Sequence, residues 1–130
     1  MSRTAQRRGE IDERPRAFSA GERRIAELLA AEGRTVVAVA ADPGAPSRAD
    51  ALVDGVPTAF ESLVPGATAA VVRTALSRAA RHAAHAVLDA RRTGLSGAAA
   101  RSAITRFRAA PHSERLVSAR VVGDNFDLAG

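Results

Sequence analysis

The spacing of apolar and polar positions divides the chain into helical and extended segments. Ser19-Ala-Gly-Glu22 has the Ser-x-x-Glu pattern of a capping box, and apolar residues follow it at helical spacing at positions 25, 28 and 29. This pattern predicts a helix that ends at about residue 32, before Gly33. The continuous run of residues 35–40 is rich in β-branched residues and predicts a buried central strand.

Residues 48–61 predict a tight β-hairpin with Asp54-Gly55 as its turn, because the favoured two-residue turns need positive φ, which Gly accepts and Asp tolerates. This turn pairs position 53 with 56, 52 with 57 and 51 with 58. Continued outward, the register gives two further pairs on one face of the hairpin: Asp50 with Ala59, and Arg48 with Glu61.

The remaining segments predict alternating helices and strands. Residues 68–83 form an amphipathic pattern, residues 86–90 an apolar strand, Ser96 caps a helix to about residue 109, and residues 115–122 alternate into a last strand. The order is helix, three strands, helix, strand, helix, strand. It predicts an α/β domain with a mixed central sheet flanked by helices.

Composition limits the class of protein. A chain of 130 residues with 46% hydrophobic residues is sufficient for one core, and we expect a flexible Arg-rich arm at 1–16 and a single domain at 17–130. With no cysteine, disulfides and thiolate metal sites are excluded. The absence of cysteine also permits a cytoplasmic setting, either in the cell that makes the protein or in a target cell into which it is delivered. No apolar run is long enough to span a bilayer, so we expect no membrane partner.

Charge is divided unevenly along the chain. Residues 17–66 hold four Arg and seven acidic residues, whereas residues 73–108 hold eight Arg and one acidic residue. Sites that cleave phosphodiesters often divide charge in this way, with a divalent cation on the acidic side and a polyanion on the basic side. The alternative is that these arginines only solvate helix surfaces.

The hairpin resembles a known family. Its segment Ala-Asp-Ala-Leu-Val-Asp-Gly-Val-Pro-Thr-Ala-Phe-Glu-Ser-Leu, residues 49–63, is similar to Asp-φ-Leu-Val-Asp-Gly-Val-Pro-Thr-Glu-Phe-Lys-Thr-Leu, where φ is apolar. That segment belongs to the C-terminal tRNA-nuclease toxin domains of contact-dependent growth inhibition proteins, which have a PD-(D/E)XK-like fold. The resemblance extends over about residues 17–122. It implies a metal-dependent RNase, delivered into the cytoplasm of a competing bacterium and neutralised by an immunity protein.

The resemblance also implies a set of site residues. The first-helix carboxylate falls on Glu22 and the hairpin aspartate on Asp50, whereas the family Glu falls on Ala59 and the family Lys on Glu61. If the domain is active, Glu22, Asp50 and Glu61 are its catalytic candidates, with Asp50 and Glu61 sharing Mg²⁺ or Mn²⁺. Glu22 has an alternative role as the capping-box acceptor, and Glu61 as the ion-pair partner of Arg48.

Three functional hypotheses remain open. The first is a toxin-type, metal-dependent nuclease acting on RNA, with tRNA as the implied substrate. The second is a catalytically silent nuclease-fold module that binds nucleic acid or a protein partner, since Ala59 and Glu61 replace the family's Glu and Lys. The third is an unrelated α/β interaction module. The candidate RNA-binding residues are Arg73, Arg78, Arg81, Arg91 and Arg92.

Overall fold

The computed structural model describes residues 8–42, 44 and 48–130, and within them the chain forms three α-helices, a short 3-10 helix and a seven-stranded sheet. The predicted mixed α/β architecture is confirmed. The elements are β1 Ile11–Asp12, α1 Ala20–Ala31, β2 Val36–Ala38, β3 Ala51–Val53, β4 Val56–Ser62, α2 Ala69–Ala80, β5 His85–Asp89, α3 Gly97–Ala109, the 3-10 helix Ser113–Arg115, β6 Ser118–Val122 and β7 Asp127–Ala129.

The strands lie side by side in the order in which they occur in the sequence. The β3–β4 hairpin is antiparallel with residue 53 opposite 56, 52 opposite 57 and 51 opposite 58, which confirms the predicted register for these three pairs. Its turn residues have positive φ, 50° at Asp54 and 83° at Gly55, as the turn type requires. Strands β4, β5 and β6 are parallel neighbours, joined through α2 and α3.

Helices cover the two faces of the sheet. One face packs against α1 through a core that includes Ile25, Leu29 and Phe60. The other packs against α2 and α3 through a core that includes Leu76 and Leu88. Side chains alternate between faces along a strand, so neighbouring residues of β4 point toward different helices. This alternation decides where each candidate site residue lies.

Two short edge strands extend the predicted order. β1 pairs in parallel with β2, and β7 pairs antiparallel with β6. Residues 11–12 were placed in the flexible arm by the sequence analysis, but here they form β1, and Gly9 N–H donates to the Ala30 carbonyl at 2.7 Å. Positions 1–7 of the expected arm, and positions 43 and 45–47 of the loop before the hairpin, lie outside the described residues.

Candidate functional site

Asp50 lies where the β3–β4 ladder ends. Its backbone N–H donates to the Thr58 carbonyl at 3.0 Å, and its side-chain Oδ2 accepts from the Phe60 N–H at 2.8 Å. The carboxylate therefore takes the place of a backbone carbonyl as the partner of β4. This explains why an Asp is accommodated at the start of a strand, a position where Asp is otherwise disfavoured.

Glu22 is positioned by the first turn of α1. The predicted capping box is present: the Ser19 hydroxyl accepts from the Glu22 N–H at 3.2 Å, and Glu22 Oε1 accepts from the Ser19 N–H at 2.8 Å. The Glu22 side chain is 17% exposed and interacts with the Asp50 carboxyl group. The structure thus brings these two sequence-predicted site residues together.

The two carboxyl groups differ in proton affinity. Burial raises the pKa of Asp50, and the neighbouring Glu22 charge raises it further, although the Phe60 N–H and Arg16 oppose this. Burial also acts to raise the pKa of Glu22, but the hydrogen bonds from Arg16 and from the Ser19 N–H outweigh it and leave that pKa lowered. Asp50 is therefore the member of the pair that takes up a proton first as the pH falls.

Arg16 binds this pair, a role that the sequence analysis missed. Its guanidinium donates to both oxygens of Glu22 at 3.0 and 3.3 Å, to the Asp50 carbonyl at 3.0 Å and to the Val39 carbonyl at 2.8 Å. It also lies over the Phe18 ring, 5.5 Å from the centroid. The segment before α1 thus supplies a cation to the carboxylate pair.

Glu61 lies on the opposite face from Glu22. Phe60 belongs to the α1 core, and Glu61, the next residue on β4, forms an ion pair with Arg78 of α2 at 2.9 Å. The predicted cross-strand ion pair of Glu61 with Arg48 is wrong, because the ladder ends at residue 51 and Arg48 instead contacts Asp42 at 3.3 Å. No described contact joins Glu61 to Asp50.

Ala59 is fully buried. This residue is 0% exposed, within the core that α2 and α3 form on the sheet, and Leu76 belongs to the same cluster. The position where the family pattern has Glu is therefore filled by a small apolar side chain in a closed environment. Neither a carboxylate nor open space for one is present there.

The basic residues of α2 do not form one surface. Arg78 is engaged by Glu61, and Arg81 is exposed at the C-cap of the helix. Arg73 is half-buried, and its Nε has no hydrogen-bond partner among the described residues. Of the three α2 arginines predicted to bind RNA, only Arg81 is thus both exposed and outside an ion pair in the described part of the chain.

Arg91 and Arg92 lie in the turn that follows β5, beside two cavities. The smaller has a volume of about 210 Å³, and the larger of about 560 Å³. Both are lined by Arg24 of α1, by Arg91 and Arg92, and by Asp89. The larger cavity is also bordered by two further acidic residues, Glu27 and Asp124.

The donor set does not fit a divalent cation in this arrangement. Carboxylate oxygens are suitable ligands for Mg²⁺ or Mn²⁺, but both oxygens of Glu22 accept from Arg16 and Oδ2 of Asp50 accepts from Phe60. Within residues 8–42, 44 and 48–130, no group of three His, Cys, Asp or Glu side chains could hold a metal ion. We therefore derive no chemical step through a metal.

Comparison with known proteins identifies the family. A family model, the contact-dependent growth inhibition CdiA C-terminal domain, matches residues 47–127. The chain belongs to this family. Searches of curated proteins and of solved structures give no match. The CdiA C-terminal match includes Asp50, Glu61, Arg91 and Arg92, whereas Arg16 and Glu22 precede it.

Membership indicates a toxin function, since CdiA C-terminal domains are toxins that are delivered into target cells and generally work with immunity proteins. Among the described residues of this CdiA C-terminal domain, no helix is both long and apolar enough to cross a bilayer.

Proposed function

We propose that this CdiA C-terminal domain is a toxin that acts on RNA and cleaves its phosphodiester backbone at the Glu22–Asp50 pair. The observation that carries the proposal is the meeting of these two carboxyl groups, from α1 and from the hairpin, at a position where the pKa of Asp50 is raised. Paired carboxyl groups with different proton affinities are typical of acid–base sites.

Asp50 is suited to proton transfer. A carboxyl group with a raised pKa exchanges a proton nearer neutral pH than a solvated Asp does. In the proposed step, a hydroxyl oxygen attacks phosphorus and gives its proton to Asp50 as the new O–P bond forms. The departing oxygen takes a proton from water as the old P–O bond breaks. Arg16 offsets the charge of Glu22, which lessens the repulsion between the carboxyl pair and the phosphate.

Mg²⁺ or Mn²⁺ would have to compete with Arg16 for Glu22. Glu22 and Asp50 carry the hard oxygen donors that these ions prefer, but Arg16 contacts Glu22 in the present arrangement. Metal binding at the pair would require Arg16 to withdraw. Cleavage measured with EDTA and with added Mn²⁺ distinguishes a pair that works with Arg16 in place from one that needs Arg16 to leave.

A catalytically silent binding module is the second candidate. Two positions favour it. Ala59, where the family pattern has Glu, is fully buried, and Glu61, where the pattern has Lys, is held in an ion pair with Arg78. In this reading Arg16, Glu22 and Asp50 form a structural network that ties the N-terminal segment to the sheet. The toxin would then act through what it binds.

An RNA-cleavage assay tests the proposal. Total tRNA is incubated with the wild type, with Asp50→Asn and with Asp42→Asn, each in EDTA, Mg²⁺ and Mn²⁺. Asp50→Asn keeps the shape and the acceptor for the Phe60 N–H, whereas Asp42 is exposed and serves as the matched control. The proposal expects cleavage by the wild type and the control, and a loss of at least about a hundredfold in Asp50→Asn. Wild-type protein that cleaves nothing at micromolar concentration would favour the silent module.

A further inference from the structure

The smaller of the two cavities at the turn after β5 has the features of a phosphate subsite. It occupies about 210 Å³ at the carboxyl ends of the parallel strands β4 and β5, where open α/β sheets commonly bind ligands. Its polar lining consists of the guanidinium groups of Arg24, Arg91 and Arg92, the hydroxyl of Ser62 and the carboxylate of Asp89. We propose that this cavity binds a backbone phosphate of an RNA strand.

One arginine of the cavity is fixed by a buried acid. Asp89 is 4% exposed and accepts from Arg91 Nε at 2.8 Å, from Arg91 Nη2 at 3.0 Å and from the Arg91 N–H at 3.1 Å. Arg91 Nη2 also donates to the Arg24 carbonyl at 3.2 Å, which connects the turn after β5 to α1. Asp89 is thus neutralised by Arg91 and acts as a positioning residue.

The other two arginines are available to a ligand. Arg24 and Arg92 are exposed, and within the described residues their guanidinium groups have no hydrogen-bond or ion-pair partner. The backbone of Arg92 is held in position by its N–H, which donates to both oxygens of Asp124 at 3.1 Å. The lining of the small cavity holds three arginines and one acid, so with Asp89 paired to Arg91 it keeps a net positive charge from Arg24 and Arg92, which suits a phosphate group. Glu27 and Asp124 border the larger cavity next to it.

Helix α1 packs closely against the end of β4 next to the cavity. Gly21 of α1 lies so near Ser62 that a β-carbon on it would meet the Ser62 β-carbon at 2.8 Å. The missing side chain lets α1 approach the end of β4. Ser62 and Phe60 lie on the same face of β4, about 7 Å apart along the strand, and Phe60 binds Asp50. Ser62, which lines the cavity, thus lies two residues along β4 from the residue whose N–H donates to Asp50.

This inference rests on the proposed RNA substrate, but its test does not depend on cleavage. A fluorescein-labelled 12-nucleotide RNA is titrated with protein in EDTA, and anisotropy gives Kd at several salt concentrations. The variants are Arg24→Ala/Arg92→Ala and the control Arg101→Ala/Arg106→Ala. The control removes the same charge from exposed positions on α3, on the other face of the sheet.

We expect the Arg24/Arg92 double variant to weaken binding at least about tenfold at 0.1 M salt and to reduce the slope of log Kd against log salt by about 0.7, the value for the loss of one phosphate contact on a single strand. The control should change Kd less than about threefold. Equal losses in both variants would show that net charge alone attracts the RNA, and would overturn the subsite. Unchanged binding in the Arg24/Arg92 variant, or no binding by the wild type, would overturn it as well.

The two proposals fail in different ways. RNA that binds with the expected Arg24/Arg92 dependence but is never cleaved leaves the subsite in place and removes the catalytic role of the Glu22–Asp50 pair. Cleavage that depends on Asp50 but not on Arg24 and Arg92 supports the catalytic role of the pair and removes the phosphate subsite. A second measurement uses inorganic pyrophosphate: the amide NMR signals of Ser62, Arg92 and Thr93 should shift in the wild type and stay in place in the double variant.

Discussion

Replacing Arg16 by Met should destabilise the domain far more than its place before the first helix suggests. Met keeps much of the apolar stem but removes every guanidinium bond. Lost are charge-assisted bonds to Glu22, worth about 1.5–3 kcal/mol, and bonds to the carbonyls of Val39 and Asp50, worth about 1 kcal/mol each. The gross loss is about 4 kcal/mol.

Water replaces part of that loss. The Glu22 side chain is 17% exposed and the site of the Arg16 side chain is 27% exposed, so water can reach the Glu22 carboxylate that the variant leaves behind. We therefore expect the free energy of unfolding to fall by about 2–3 kcal/mol. For a chain of 130 residues, with an unfolding entropy of about 2.1 cal/mol/K per residue, this lowers Tm by roughly 7–11 °C.

Urea unfolding followed by circular dichroism measures the effect, with an unchanged m-value as the sign that the two-state transition is intact. Arg14→Met is the matched control. Arg14 pairs with Asp12, but its side chain is 91% exposed, so its replacement should leave the free energy of unfolding almost unchanged. An Arg16→Met variant as stable as this control would refute the view that Arg16 ties the N-terminal segment to the carboxylate pair.

Two further predictions concern the pair and the position beside it. Asp50→Asn should raise the free energy of unfolding at pH 7, because it keeps the acceptor for the Phe60 N–H and removes a half-buried like charge next to Glu22. Solvent screens this charge, so the gain should not exceed about 1 kcal/mol. The folded-state pKa of Asp50 lies above its ordinary 3.8, and the repulsion from Glu22 disappears when Asp50 takes up a proton. The extra stability of the variant over the wild type should therefore appear as the pH rises through that pKa and be absent below it. Urea curves at pH 4 and pH 7 check this, and a variant less stable at pH 7 would contradict it. Ala59→Glu should lower the free energy of unfolding by about 3 kcal/mol or more, because position 59 is 0% exposed and offers a carboxylate no partner; a near-neutral result would show that the α2 core opens there.

The elements that the sequence predicted are those with local signals. The capping box at Ser19, the cap at Ser96 and the Asp54-Gly55 turn depend on residues within a few positions of one another, and each lies where the pattern places it. Strands β1 and β7 were missed because each holds a single large apolar residue, Ile11 and Leu128, so neither an apolar run nor an alternating pattern marks them. They exist as strands because β2 and β6 offer them partners.

The candidate site was only half accessible to sequence reasoning. Glu22 and Asp50 carry local signals, a cap and a turn register, and the structure brings them together. Arg16 carries none, since it binds the carbonyls of Val39 and Asp50, which every residue type possesses, across 23 and 34 positions of the chain. Its role follows from the tertiary fold alone.

The partner of Glu61 was missed for a different reason. The predicted register continued to Arg48 and Glu61, but the backbone pairing ends at residue 51, where the Asp50 side chain takes over as the acceptor for the Phe60 N–H. Helix α2 follows β4 in the chain and packs back over the sheet, which brings Arg78 to Glu61. A basic residue on this crossover helix was the sequence feature that could have predicted the ion pair.

Charge balance at the carboxylate pair connects these observations. Position 61 lies on the α2 face of β4, where Glu61 pairs with Arg78, so the cation that reaches the carboxylate pair comes from a different element, through Arg16. Because Arg16 neutralises Glu22, and because Asp50 has a raised pKa, the pair exerts less attraction on a divalent ion than two exposed carboxylates would. Arg16 therefore has two effects: it lowers the attraction of the pair for a divalent ion, and it links Glu22 of α1 to Asp50 of the hairpin.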